Sequence, residues 1–184
     1  AGDAGISHTT LRAWVSVLEA SLLITLLPPY HANFGKRLTK SPKLHWLDSG
    51  LVCHLLGIHT RAHLLSHPLR GAIFESWVVS ETIKHAYNQG RAAPVFHWRD
   101  QHGHEVDLLI ETPEGLHAIE AKSGKTTRPE DAGGLRWWRA LAPTGRNVVV
   151  HGGDRAAGQA QEAEWVPWRG WGQWLEHIRL APPT

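Results

Sequence analysis

No methionine occurs anywhere in the 184 residues, and cysteine occurs once, at Cys53. A chain that begins AGDAG and carries no Met reads as a fragment of something longer, or as a processed form. A lone cysteine excludes an internal disulfide framework and any multi-Cys zinc site, and it fits a reducing, cytoplasmic compartment. Long apolar runs are missing as well: Leu22-Leu23-Ile24 is broken by Thr25 and resumes only as Leu26-Leu27. That is far short of the roughly 20 residues of a membrane helix, so no membrane partner is expected. An excess of one charge is missing too. The 19 basic and 17 acidic residues leave a formal charge of +2, which alone predicts no polyanionic partner. Finally, no complete Walker A loop is present. GKTT at 124–127 matches its end, but the pattern needs glycine where Ile119 stands. This chain alone is not expected to bind ATP.

What is present is a globular composition, 42% hydrophobic and 20% charged, enriched in Trp (10) and His (14). The length suits one domain or two small ones. Ser7 is a good N-cap for a helix over 7–20, with Leu11, Trp14, Val15 and Leu18 at helical spacing as its core face. The opposite face offers His8, Thr9, Arg12 and Ser16 for hydrogen bonding. A short apolar strand follows and stops at Pro28-Pro29, because proline cannot continue a ladder. The stretch 31–46 then carries Lys36, Arg37, Lys40 and Lys43 and no acid, before KLHWLD reads as a returning strand. Helix, strand, basic hairpin, strand is the order of a winged helix, in which the helix enters a groove and the wing touches phosphate. A packing module between larger domains fits the same order.

Residues 49–66 predict short helices separated at Gly57. His59, His63 and His67 sit four apart, but Pro68 follows and no carboxylate joins them, which favours solvated histidines over a zinc site. Residues 71–89 predict a long helix stopped by Gly90, burying Ile73, Phe74, Trp77, Val78, Ile83 and Tyr87. APVFHWRD, HEVDLLIE and LHAIEAKS alternate with turn-forming DQHG and TPEG, a hairpin pattern. A helix near 129–141 and a buried strand RNVVVHG complete an α/β core with helices on both faces. Trp165, Trp168, Trp171 and Trp174 recur every three residues, and Pro167, Gly170 and Gly172 argue against a regular helix until about residue 172. The expected role of this tail is to pack Trp side chains over the core.

Chemistry concentrates in two strands. Side chains two apart in a strand share a face, so Glu120 and Lys122 point together from AIEAKS. Asp107, between Val106 and Leu108, is an acid in what reads as sheet interior, which is costly unless paired or bound to metal. If the strands pair, Asp107, Glu120 and Lys122 converge. Glu75, between Phe74 and Trp77 on the long helix, is a fourth buried-looking charge. Two carboxylates can hold Mg²⁺ or Mn²⁺, which takes oxygen ligands and keeps waters. The metal would stabilise phosphate charge and acidify a bound water, and a lysine beside it would orient that water. The plainer alternative is a structural Glu120–Lys122 ion pair with Asp107 capping a turn.

At these residues the chain resembles a known family. LEAS, LLPPY, NFGKRL, KSPKL and LDSGL, then RG-IFE, EVDLLIE and IEAKS, are similar to the C-terminal domain of unknown function of a prokaryotic P-loop (AAA-type) ATPase family. The resemblance runs from about residue 4 to about residue 152. Its later part is similar to the PD-(D/E)XK, or restriction-endonuclease-like, nuclease fold. The resemblance implies Glu75 as the core-helix acid, Asp107 and Glu120 as metal ligands and Lys122 as the catalytic lysine. It also implies that an ATPase core, and ATP with it, belongs to a missing upstream domain.

The expected architecture is therefore a restriction-endonuclease-like mixed α/β sheet flanked by helices. It would span 51–164, after a truncated winged-helix-like module at 1–50 and before a Trp-rich tail at 165–184. The expected function is a Mg²⁺-dependent DNA endonuclease module of an ATPase, with Arg12, Lys36, Arg37, Lys40 and Lys43 on DNA. The alternative is a catalytically silent module that binds DNA or protein and targets the ATPase. The sequence leaves a homo-oligomer open.

Overall fold

The computed structural model describes residues 5–30, 41–154 and 163–180. Lys36, Arg37 and Lys40 lie outside the described residues. The chain is mixed α/β, and its described part holds six α-helices, a two-stranded antiparallel sheet and a five-stranded mixed sheet.

Helix α1 (His8–Ala20) starts where Ser7 Oγ accepts the Thr10 N–H at 3.0 Å, which satisfies one of the free donors at a helix start. It leads into β1 (Ile24–Leu27), which pairs antiparallel with β2 (Lys43–Trp46), Ile24 opposite Trp46 and Leu27 opposite Lys43. The apolar face expected of α1 is not a buried core. Trp14 is 58% exposed and no α1 residue is buried, because the helix rests on β1 and its outer flank meets water.

Asp48 and Thr60 cap α2 (Ser49–Leu55) and α3 (Arg61–Ser66), and Gly57 between them takes a left-handed φ of +68°. His63 and His67 meet edge-on at 5.6 Å, while His59 precedes α3. The long helix α4 (Arg70–Asn88) buries Ile73, Val78, Val79, Ile83 and Ala86. Phe74 and Trp77 are half-buried, and Tyr87, expected on the buried face, is 56% exposed. In the same turn Ala86 is fully buried, so the face of α4 that meets the sheet runs through Ile83 and Ala86 and leaves Tyr87 to one side.

The main sheet has the order β3-β4-β5-β6-β7, with β3 (Val95–Arg99), β4 (Glu105–Thr112), β5 (Gly115–Lys122), β6 (Asn147–His151) and β7 (Glu164–Pro167). The first three form an antiparallel meander, and β6 and β7 add parallel to β5. All five residues of β6 are buried, as an apolar NVVVH run in a covered parallel strand demands. One face of the sheet packs Val78, Val79 and Ile83 of α4 with Trp171, Trp174 and Leu175 of α6 (Trp171–Glu176). The other packs Leu135 and Trp138 of α5 (Gly133–Leu141) against Trp98, Val149 and Trp165. Trp165 thus sits on a strand, and Trp171 and Trp174 on a helix. A spacing of three fits neither period, which is why the run alone predicts no element.

One irregularity bears on the site. Phe96 pairs with Leu109, but Trp98 pairs with Val106, so two residues of β4, Asp107 and Leu108, span one residue of β3. Val106 and Leu109 consequently enter one core cluster, and Leu108 and Ile110 the other. Such a bulge bends a strand and re-aims its side chains.

Candidate active site

Asp107 sits in the bulge, where β4 and β5 begin to part. The register Leu108–Ile119, carried one step further, sets Asp107 across from Glu120. Asp107 Oδ2 accepts the Ala121 N–H at 2.9 Å, so the acid also closes the end of the ladder. Glu120 and Lys122 leave β5 on one face, as strand alternation requires, and Lys122 Nζ donates to Glu120 Oε1 at 2.6 Å. Glu75, on the second turn of α4, reaches the same cleft. Glu75, Asp107, Glu120 and Lys122 line a cavity of about 370 Å³ with Ser123 and Asp131. The four residues singled out in the sequence are thus brought together.

Three more charges belong to the cluster: Glu105, Lys43 and Arg99, whose guanidinium lies 3.7 Å from Glu105 Oε2. Glu105 precedes Asp107 by two positions on β4, and ligand oxygens of Glu75, Glu105 and Asp107 lie within 4.8 Å of one another. Strand alternation could have found Glu105. Lys43, from β2, enters among these acids. Its Nζ is 2.8 Å from Glu75 Oε1 and 3.9 Å from Asp107 Oδ1, and it also pairs with Glu105 Oε1. Lys43 was expected on phosphate; nothing in the local sequence announces three carboxylates from α4 and β4. Arg12 is exposed on α1, apart from this cleft.

The electrostatics follow from this crowding. Burial, then the charges of Glu120 and Glu75, push the Asp107 carboxyl well above the usual carboxylate range, against the Ala121 N–H and Lys43. Burial also raises Glu120, although Lys122 opposes it. Lys122 is held above the usual lysine range; burial works against this, and Glu120 outweighs it. Acids displaced in this way occur in functional clefts and in structural ion-pair networks alike.

Helix α5 packs close to the carboxylates. A Cβ at Gly134 would stand 2.6 Å from the Glu105 carbonyl oxygen and 3.5 Å from Glu120 Oε2. Only bare backbone fits there. Glu120 Oε2 is itself buried without a hydrogen-bond partner. An orphaned carboxylate oxygen next to a group of oxygen donors, with no nitrogen or sulfur ligand required, suits a hard divalent cation. The residues present therefore fit Mg²⁺ or Mn²⁺.

Among the described residues no helix is long and apolar enough to cross a membrane. Comparison with known proteins places two family profiles on the chain. One, described as a domain of unknown function (DUF4143), matches residues 70–171. A second domain of unknown function (DUF8612) matches residues 1–62. The uncharacterised proteins Rv2008c of Mycobacterium tuberculosis and Mb2031c of Mycobacterium bovis are each 30% identical over 149 residues, 81% of this chain. That alignment covers 32% of each relative, so the chain spans about a third of the length of the curated proteins it matches. The two matched segments meet at the cleft: Lys43 comes from the first, and Glu75, Glu105, Asp107, Glu120 and Lys122 from the second.

Proposed function

The chain belongs to the DUF4143 family, and from that premise we propose that its cleft is a Mg²⁺-dependent nuclease centre acting on phosphodiester bonds of DNA. The observation that carries the reading is the convergence of Asp107, Glu120 and Lys122 on one cavity, with Glu75 arriving from α4. The order of the sheet, a meander carrying the acid and the acid-x-Lys pair followed by parallel strands, supports a restriction-endonuclease-like fold. The α1-β1-β2 unit supports a winged-helix-like module. In the whole protein this chain would serve as effector of an upstream prokaryotic P-loop ATPase, a cytoplasmic partner that would bring the ATP.

Asp107 and Glu120 would hold the metal through carboxylate oxygens. When bound, Mg²⁺ or Mn²⁺ supplies positive charge to the phosphate and acidity to a water. Lys122 keeps one N–H on Glu120, which fixes its ammonium at the cavity wall and leaves two donors to orient the attacking water and meet developing negative charge. Glu75 would accept a proton from that water or join the metal oxygens. The test is cleavage of plasmid, single-stranded and branched DNA with Mg²⁺ or Mn²⁺. Activity lost in Lys122→Ala supports the reading; no cleavage by the parent, or equal cleavage by the variant, overturns it.

One observation favours a second reading. Lys43 already pairs with Glu75, Glu105 and Asp107 within the chain, as it would in a catalytically silent module that binds DNA or protein to target the ATPase. Salt-dependent DNA binding that survives Asp107→Ala, without cleavage under any metal, would select this reading.

A further inference from the structure

A second groove adjoins the acid cleft, and its lining is of the opposite kind. It has a volume of about 370 Å³ and lies at the carboxyl ends of the three parallel strands. Ser123 and Lys125 follow β5, Gly152 follows β6 and Trp168 follows β7. Open α/β sheets place ligands in the crevice outside the carboxyl ends of their strands. The remaining walls come from α2, α3 and α4.

The floor is aromatic. Phe74 and Trp77 stack with centroids 5.7 Å apart and planes 26° apart, and Trp168 meets Trp77 edge-on at 5.8 Å. All three line the groove and are half-buried; the Arg169 guanidinium lies over the Trp168 ring at 4.3 Å, and the remaining aromatic surface faces the groove. The rim is cationic: Arg61 and Lys125 are exposed and Arg70 is half-exposed, and among the described residues no acid lines the groove. The Arg70 guanidinium donates to the Ser123 carbonyl, which pins the boundary between groove and cleft. Ser123 lines both cavities, and it follows Lys122 in the chain. Phosphate-binding charge and a stacking surface therefore open directly onto the carboxylates.

We propose that this groove holds an unpaired nucleotide of a single-stranded segment, with its base on the Phe74–Trp77–Trp168 floor and its phosphate at Arg61, Arg70 and Lys125. The orientation rests on the nuclease reading, because the adjacent phosphodiester would then lie over the acid cleft. Aromatic platforms with basic rims take bases of any sequence through their π-faces. The groove has the dimensions of a small-ligand pocket, not of a duplex channel. A paired base reaches such a pocket only after unstacking. Single strands, frayed ends and branch points are the substrates this geometry favours.

Cys53, the one cysteine of the sequence, lines the groove and is half-buried, so a thiol reagent reads this groove alone. The test measures the rate of Cys53 alkylation by a small maleimide in metal-free buffer. The probes are a twelve-nucleotide oligothymidylate, the corresponding oligouridylate and a twelve-base-pair duplex, each at a concentration that saturates anisotropy binding. Protection of about fivefold or more by either single strand, with less than about twofold by the duplex, is expected. Arg61→Glu combined with Lys125→Glu should weaken single-strand binding about tenfold or more, both sites being exposed. Unchanged Cys53 reactivity at saturation, equal protection by duplex, or no single-strand binding at all would overturn the proposal. Cleavage without Cys53 protection leaves the nuclease reading standing and removes the groove; protection without cleavage does the reverse.

Discussion

Lys43 Nζ lies 2.8 Å from Glu75 Oε1, joining β2 to α4 across 32 positions of sequence. The same ammonium meets Glu105 and Asp107. One cation is thus shared among three acids and ties the segment before residue 50 to the main sheet.

Replacing Lys43 with methionine should leave these acids facing one another. Because the lysine and its partners are each about a quarter exposed or less, the expected loss is about 1–3 kcal/mol, below that of a fully buried pair. Urea unfolding measures it. Millimolar Mn²⁺ should raise the midpoint of Lys43→Met more than that of the parent, and equal shifts would show that Lys43 does not compete for the carboxylate oxygens.

Asp107→Asn keeps an oxygen to accept the Ala121 N–H while removing one charge from a crowded acidic site. The metal-free variant is expected to be more stable than the parent by about 1 kcal/mol, as often happens when a strained functional charge is neutralised. DNA cleavage should disappear in the same protein. Denaturation and a plasmid assay on one preparation read both effects, and a destabilised variant would contradict the crowding argument.

Acid should weaken the fold through a histidine remote from the cleft. His117 Nδ1 accepts the Arg146 N–H at 2.9 Å, so that nitrogen must stay unprotonated. Burial, then the Arg146 charge, hold its pKa below the ordinary 6.5. The unfolded chain therefore takes up a proton first. The His117 contribution is complete above about 6.5 and is lost as the pH falls toward the lower folded-state value. His117→Asn, whose side-chain oxygen can accept the same N–H, should lose less stability than the parent between pH 7 and pH 5. Unfolding curves at the two pH values decide this.

Trp171 is fully buried and stacks on Trp174 at 4.8 Å, beneath α4. Trp171→Ala should cost about 3–5 kcal/mol, the range for deleting a large buried aromatic. A cost under about 1 kcal/mol, measured in urea, would mean that residues 163–180 pack loosely against the sheet.

Much of this organisation is legible where one residue dictates a local geometry. Ser7 marks the start of α1, Pro28 the end of β1 and Gly90 the end of α4, because each signal needs only its neighbours. Alternation along EVDLLIE and AIEAKS placed Asp107, Glu120 and Lys122 together; carried two positions upstream it would have reached Glu105, which the sequence reading passed over. Lys43 was beyond reach, since its partners come from elements brought near by tertiary packing. The bulge at Asp107 was equally hidden: it is a mismatch between β3 and β4, and neither strand shows it alone. Trp14 and Tyr87 went astray because periodicity identifies an apolar face but not whether anything covers it.

The meander β3-β4-β5 has a kinetic consequence. Its strands are sequential neighbours, so they close small loops, whereas the crossings to β6 and β7 close larger ones. Glu105, Asp107 and Glu120 all ride on this local unit, with Arg99 and Lys122 as their cations within it, while Lys43 arrives from upstream. Like charges therefore gather before their main counter-ion docks, and folding meets its electrostatic resistance early. Added salt screens that resistance, so refolding should accelerate with ionic strength even as the docked Lys43 pairs weaken.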